Sequence, residues 1–288
     1  MAATETMQAI PATEHLAEGP AVHPFREMHV GELSRFRLTV IEADVRRWTT
    51  IHDEPYPWRV EPGAAAGAPP SILYYAGMNA LAPIRSFDSA RGGGSGGLAR
   101  YWTEFHAPVP LDTQLEVTGA VTEKYVRRGR GWVEWQVEVR AEGRLIQRSG
   151  RSWAAGIETE EAARWPERSG GERPPEPATG AEQLEPIDYT ASQEHITDFE
   201  GGGDHGGTAQ GALSFGLLSR LGSERLGSRF AEGGALDVRF IRRVRAGEVL
   251  TVRAAALGTA DDGRLRYRAW TENARGQTTT VGILTARA

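Results

Sequence analysis

Asp204 and His205 stand side by side in the run Gly201-Gly-Gly-Asp204-His205-Gly-Gly207. An imidazole titrates near neutral pH, so His205 is a candidate general base for a carbon-bound proton. Asp204 is a candidate acid that protonates a hydroxyl or orients the imidazole. The five flanking glycines permit close approach of a ligand and unusual backbone angles. The same two residues also suit a solvated loop in which Asp204 only ends a turn. Consecutive side chains diverge, so a joint dyad requires an irregular backbone. His52 and Asp53 form a second pair of the same types, before Glu54-Pro55-Tyr56-Pro57-Trp58. For that pair a structural role is the preferred reading.

Composition narrows the chemistry. Zero cysteines in 288 residues exclude disulfides, thiol nucleophiles and cysteine-based metal sites. Thirty-three Lys and Arg against 38 Asp and Glu give a net charge of −5, and no cationic stripe dominates, which argues against a nucleic-acid partner. No stretch reads as a membrane span, and the start of the chain lacks a basic segment followed by an apolar one, so a cytoplasmic protein is expected. Residues 1–24 scatter Ala, Thr, Glu and Pro without period and read as a poorly ordered arm.

The elements that must position these residues occur twice. Phe105-His-Ala-Pro-Val109 followed by Leu115-Glu-Val117 recurs as Phe240-Ile-Arg-Arg-Val244 followed by Leu250-Thr-Val252, 135 positions later (240 minus 105). Between the copies, residues 158–182 crowd Glu, Arg, Pro and Gly and read as a linker, which leaves units at 25–157 and 183–288. Each unit opens with a strand and a polar helix start, at Phe36–Val40 then Glu42-Ala-Asp44, and at Ile187–Tyr189 then Ser192-Gln-Glu194. Each continues into an apolar helix rich in small residues, Ser71–Gly77 overlaid on Gly211–Leu217. Strands follow at Leu115–Val121, Trp132–Arg140 and Leu145–Ala155, and at Leu250–Ala256, Leu265–Glu272 and Thr278–Thr285. Hairpins turn at Glu142-Gly143 and Arg275-Gly276. The main length difference between the copies falls in the loop Gly92–Gly97. A buried helix followed by long antiparallel strands is an α+β pattern in which a sheet wraps a helix.

These residues resemble the hotdog fold, and two copies in one chain resemble the double-hotdog MaoC-like acyl dehydratases and enoyl-thioester hydratases. The resemblance is carried by Phe240-Ile-Arg-Arg-Val-Arg-Ala-Gly247-Glu-Val-Leu and by Thr208-Ala-Gln-Gly211-Ala-Leu-Ser-Phe. In the first unit Pro69-Pro70-Ser71-Ile72-Leu73 is similar to the start of the buried helix in degenerate N-terminal halves. It spans about Gly31 to Ala288. It implies a thioester on coenzyme A or an acyl carrier protein, held between the hotdogs, and a hydro-lyase reaction that needs no metal or organic cofactor because the thioester acidifies the Cα proton. The family's loop carries an Asp and a His with four residues between them, and a backbone N–H at the start of the buried helix for the enolate. Here Trp58 stands near the histidine position of the first unit, and the second unit compresses its pair to Asp204 and His205.

On this resemblance His205 would exchange the Cα proton, Asp204 would protonate the hydroxyl, and Gly211 and Ala212 would present the amide if the helix begins at Gln210. Close packing of Gly211 against the sheet is the plain alternative. Arg127, Arg128 and Arg130, with Arg242, Arg243 and Arg245, are candidates for coenzyme A phosphates or an acidic carrier, or else a solvated face. The tryptophans, Trp132 and Trp135 among them, read as packing residues. Two other functions stay open: a repurposed hotdog enzyme of a biosynthetic pathway (isomerase, cyclase or other elimination catalyst), suggested by the altered loop, and a non-catalytic acyl-binding subunit. A monomer and a homodimer are both compatible with two fused hotdogs.

Overall fold

Apolar residues on alternate positions build the strands. Leu115 and Val117 point into the core while Glu116 and Thr118 face away, and Val133, Trp135, Val137 and Val139 repeat the pattern. The computed structural model describes residues 21–22, 25–64, 66–74, 76, 86–87, 97–169, 173–199, 208–209 and 211–288. Ten strands are β1 (Leu33–Thr39), β2 (Gly97–Phe105), β3 (Gln114–Arg127), β4 (Arg130–Ala141), β5 (Arg144–Gly156), β6 (Gln183–Thr190), β7 (Ala235–Phe240), β8 (Val249–Thr259), β9 (Leu265–Asn273) and β10 (Thr278–Ala286). They form one continuous antiparallel sheet in the order β1-β3-β4-β5-β2-β7-β10-β9-β8-β6. Each half repeats one five-stranded order, and the halves join edge to edge through β2 and β7.

The junction keeps the spacing of the sequence repeat. Shifting by 135 carries Arg100 onto Ala235, Trp102 onto Asp237 and Glu104 onto Arg239. The ladder pairs Glu104 with Ala235, Trp102 with Asp237 and Arg100 with Arg239. A local two-fold axis therefore runs between Trp102 and Asp237. Neither β2 nor β7 is among the strands read from sequence, because outward Arg, Glu and Asp side chains interrupt their apolar runs.

Three helices line the concave face or its ends: α1 (Glu42–His52), α2 (Gln193–Phe199) and α3 (Gly211–Leu226). The central helix α3 buries Ala212, Leu213, Phe215, Leu217, Leu218 and Leu221. Gly216 is where it meets α1 of the other half: a Cβ there would lie 2.0 Å from His52 Nε2. Tyr189 fastens the same joint, donating to the Ile51 carbonyl at 2.7 Å and meeting His195 Nδ1 at 2.9 Å. In the first half the corresponding helix is described only at its start, a 3-10 turn over Pro70–Leu73 followed by Tyr74 and Ala76.

The phase of that helix corrects the sequence overlay by one residue. Ala68 bridges to Val109, and Ala209 pairs with Val244, where Val109 and Val244 are themselves 135 apart. Pro70 is thus the counterpart of Gly211, rather than Ser71. A helix apolar nearly all round carries little phase information, which is why a one-residue slip passes unseen in sequence.

The remaining strands run longer than read, and Glu142-Gly143 turns with positive φ at both residues, 50° and 79°. The stretch between the halves is tied to both. A short turn at Thr159–Ala162 sets Glu161 2.6 Å from Arg26, and Arg268 donates to the Pro174 carbonyl at 3.1 Å. Trp135 is buried on the inner face, whereas Trp132 stacks on Tyr125 on the other side. Of the N-terminal arm, only Ala21–Val22 is described, in a parallel pair with Ser86–Phe87; the glycine loop lies outside the described residues up to Gly97.

Candidate active site

The chain enters α3 beside a cleft of about 460 Å³ that both halves line. Tyr74, Leu98 and Trp153 come from the first half; Ala209, Gly211, Ser214, Phe240 and residues 241–244 come from the second. The first turn of a helix leaves its amides without intrahelical acceptors, and the dipole favours negative charge there. Gly211 and Ser214, one turn apart, bring that end of α3 to the cleft wall. The short pair Thr208–Ala209 with Val244–Arg245 fixes the approach of the chain.

Gly211 also packs tightly, since a Cβ would stand 2.9 Å from the Phe240 ring. The cleft role and the packing role thus fall on the same residue. Ala212, by contrast, is fully buried and does not line the cleft. Gln210, Asp204 and His205 lie outside the described residues. Ser214 was missed in sequence; its only signal is the three-residue spacing from Gly211. Of the basic residues, Arg242 and Arg243 line the cleft and are exposed, while Arg127, Arg128 and Arg130 sit at the β3–β4 turn.

A second cleft, of about 340 Å³, occupies the two-fold-related position in the first half. Ala68, Pro70, Pro108 and Val109 line it, where the larger cleft has Ala209, Gly211, Arg243 and Val244. Pro70 has no N–H to offer at the helix entry. Pro108 supplies no charge, and Trp58 closes part of the wall.

His52 and Asp53 do not converge on either cleft. His52 is wholly buried, its Nδ1 2.9 Å from the Trp48 carbonyl, and burial pulls its pKa down to about 4. Asp53 is the left-handed cap of α1 and faces solvent, 3.6 Å from Arg220 Nη1. The perturbed group of this loop is Glu54, which sequence reading passed over within a polar run. Burial pushes its carboxyl up to about 8, with Arg220 opposing, and its Oε1 has no hydrogen-bond partner among the described residues.

No protein-family model and no curated protein matches the sequence. Solved structures do match. A MaoC-like dehydratase superposes with a TM-score of 0.66 at 13% identity, covering 91% of this chain and 99% of that one. The fold is the double hotdog. A conserved hypothetical protein from Mycobacterium tuberculosis, described by that fold name, matches at a TM-score of 0.60 and 13% identity over 93% of this chain and 98% of its own. The peroxisomal multifunctional enzyme type 2 of Drosophila melanogaster matches at 0.65 and 16% identity, over 88% of this chain and 48% of the larger protein. The double hotdog accounts for the doubled strand order, the two-fold at β2 and β7, and the paired clefts at the helix entries. Among the described residues no helix is long and apolar enough to cross a membrane.

Proposed function

We propose that this chain is a hydro-lyase that adds water to an enoyl thioester, or removes it from a 3-hydroxyacyl thioester, carried on coenzyme A or an acyl carrier protein. The observation that carries this reading is the asymmetry of the two clefts: the second has Gly211, with its N–H, where the first has Pro70, and only the second has a basic rim. The thioester oxygen accepts a hydrogen bond from the Gly211 end of α3, which stabilises the enolate as it forms. His205, three residues before the Thr208–Ala209 pair, removes the Cα proton in dehydration, and Asp204 protonates the departing hydroxyl. Water leaves and a Cα–Cβ double bond forms; hydration runs the same steps in reverse. Arg242 and Arg243 meet the phosphates of the carrier.

Structural likeness to MaoC-like dehydratases supports the fold on which this chemistry is read. The test is hydration of crotonyl coenzyme A by the purified chain, followed by loss of enoyl absorbance. His205→Ala is expected to lower kcat by about 10³-fold, within the range that removal of a general base produces, while circular dichroism stays unchanged. Hydration that survives the substitution would remove His205 from the mechanism.

A further inference from the structure

Ser214 is a buried residue that the larger cleft reaches. It lies one turn into α3, is 4% exposed, and lines that cleft together with Gly211. Helical Cα–Cβ bonds tilt toward the N-terminus, so the Ser214 side chain leans over the turn that Gly211 opens. Residues three apart share a helix face, which puts Ser214 and Gly211 on the same side of α3.

A hydroxyl buried in a helix can donate to the carbonyl one turn back, as Thr49 of α1 does to Val45 at 2.9 Å. Ser214 makes no hydrogen bond among the described residues. An unpaired buried hydroxyl costs stability, so one kept at a cleft wall points to an acceptor that arrives with a ligand. Ser219 and Ser223, further along α3, also lack partners but line neither cleft. Contact with the cleft sets Ser214 apart from them.

The two-fold-related position differs in the same sense as the helix entry. Pro70 is the counterpart of Gly211, which makes Leu73 the counterpart of Ser214; Leu73 is 1% exposed and lines neither cleft. The half that lacks the amide thus also lacks the hydroxyl. Around Gly211 and Ser214 the wall is largely apolar, with Leu98, Trp153, Ala209, Phe240 and Val244, and such surroundings strengthen a hydrogen bond made among them.

We infer that the Ser214 hydroxyl is a second donor to the thioester oxygen, beside the Gly211 N–H, so that two groups of one helix turn hold the enolate. The hydroxyl hydrogen stays on Ser214 throughout; its bond to the oxygen tightens as negative charge develops there. This deepens the hydro-lyase reading and rests on it for the reaction, though not for the binding of the thioester oxygen.

The test is hydration of crotonyl coenzyme A by Ser214→Ala, Ser214→Thr and Ser219→Ala. Ser214→Ala is expected to lower kcat about 10²-fold with KM changed less than about threefold, because a donor to developing charge acts in the transition state. Alanine is the better helix former, so circular dichroism is expected to stay unchanged. Ser214→Thr keeps a hydroxyl and is expected to remain within about tenfold of the unaltered chain. Ser219→Ala deletes the same atom away from both clefts and is expected to change kcat less than about twofold. An unchanged kcat in Ser214→Ala, or an equal loss in Ser219→Ala, overturns the assignment. A second readout needs no turnover: the infrared carbonyl band of bound butyryl coenzyme A, isotopically labelled at the thioester. Hydrogen bonding lowers that band, and in Ser214→Ala it is expected to move back toward its free value. If no enoyl thioester is turned over, the hydro-lyase reading fails by itself and the band decides Ser214. Movement in the variant sustains the donor, whereas the same band in both chains, or no binding of butyryl coenzyme A, refutes it.

Discussion

The two clefts occupy the same place in two copies of one unit, and they differ in what the chain puts at the helix entry. Gly211 with Arg243 stands in one, Pro70 with Pro108 in the other. Pro70 lacks the N–H that Gly211 offers, and a rim that carries Glu232 and no cation removes the attraction for phosphate. The first half has instead become a platform: His52 of α1 packs on Gly216 of α3, and Arg220 of α3 donates to the His52 carbonyl at 2.9 Å. One copy carries the candidate chemistry, while the other holds its central helix in place.

The largest effect is expected where platform and helix meet. Gly216→Ala places a methyl 2.0 Å from the His52 ring, and loss of about 3 kcal/mol or more in chemical denaturation is the predicted outcome of such overpacking. Partial recovery in the double variant with His52→Ala would tie the loss to this contact, and no recovery would separate them.

Next in size is Glu54, whose folded pKa is raised from 4.5 to about 8. A raised carboxyl favours folding while protonated, so its contribution falls as pH rises from about 4.5 to about 8 and is level above that. His52 acts oppositely: with its folded pKa lowered from 6.5 to about 4, stability falls as pH drops through that window. Glu54→Gln is expected to add about 2 kcal/mol at pH 8 and almost nothing at pH 4, measured by urea denaturation at both. Equal gains at the two pH values would contradict a buried, ionising Glu54.

The smallest effects compare the helix entries directly. Gly211→Ala is expected to lower kcat/KM about tenfold through the Phe240 contact, whereas Pro70→Ala changes it less than about twofold. Comparable losses in both would mean that the first cleft also works.

The 135-residue repeat was legible, and the β2–β7 junction keeps its spacing although neither strand was read. The glycine turns and the polar helix starts at Glu42 and Gln193 fall where read. The inward placement of the buried residues Gln147, Ser149 and Arg151 was not legible, because alternation in Arg144–Gly156 invites them to be placed toward solvent, and only the pairing with Tyr101 and Trp135 turns them inward. Glu54 was hidden for a similar reason: an acid in a polar, proline-bearing run carries no sign that a neighbouring helix will bury it. For Asp204 and His205 the sequence remains the source of the reading, since they lie outside the described residues.

The residues on the two-fold axis also bear on self-recognition. Trp102 faces Asp237, and Asp237 takes a paired contact from Arg100 at 2.7 and 2.8 Å; the mirrored position, Ala235 beside Trp102, has no such ion pair. Were two second halves from different chains to meet along this edge, Asp237 would oppose Asp237, and like charges directly across a ladder repel. Two first halves would set Trp102 against Trp102 and Arg100 across from Glu104, with no like charges opposed. The seam therefore discriminates against a pairing of two second halves along this edge.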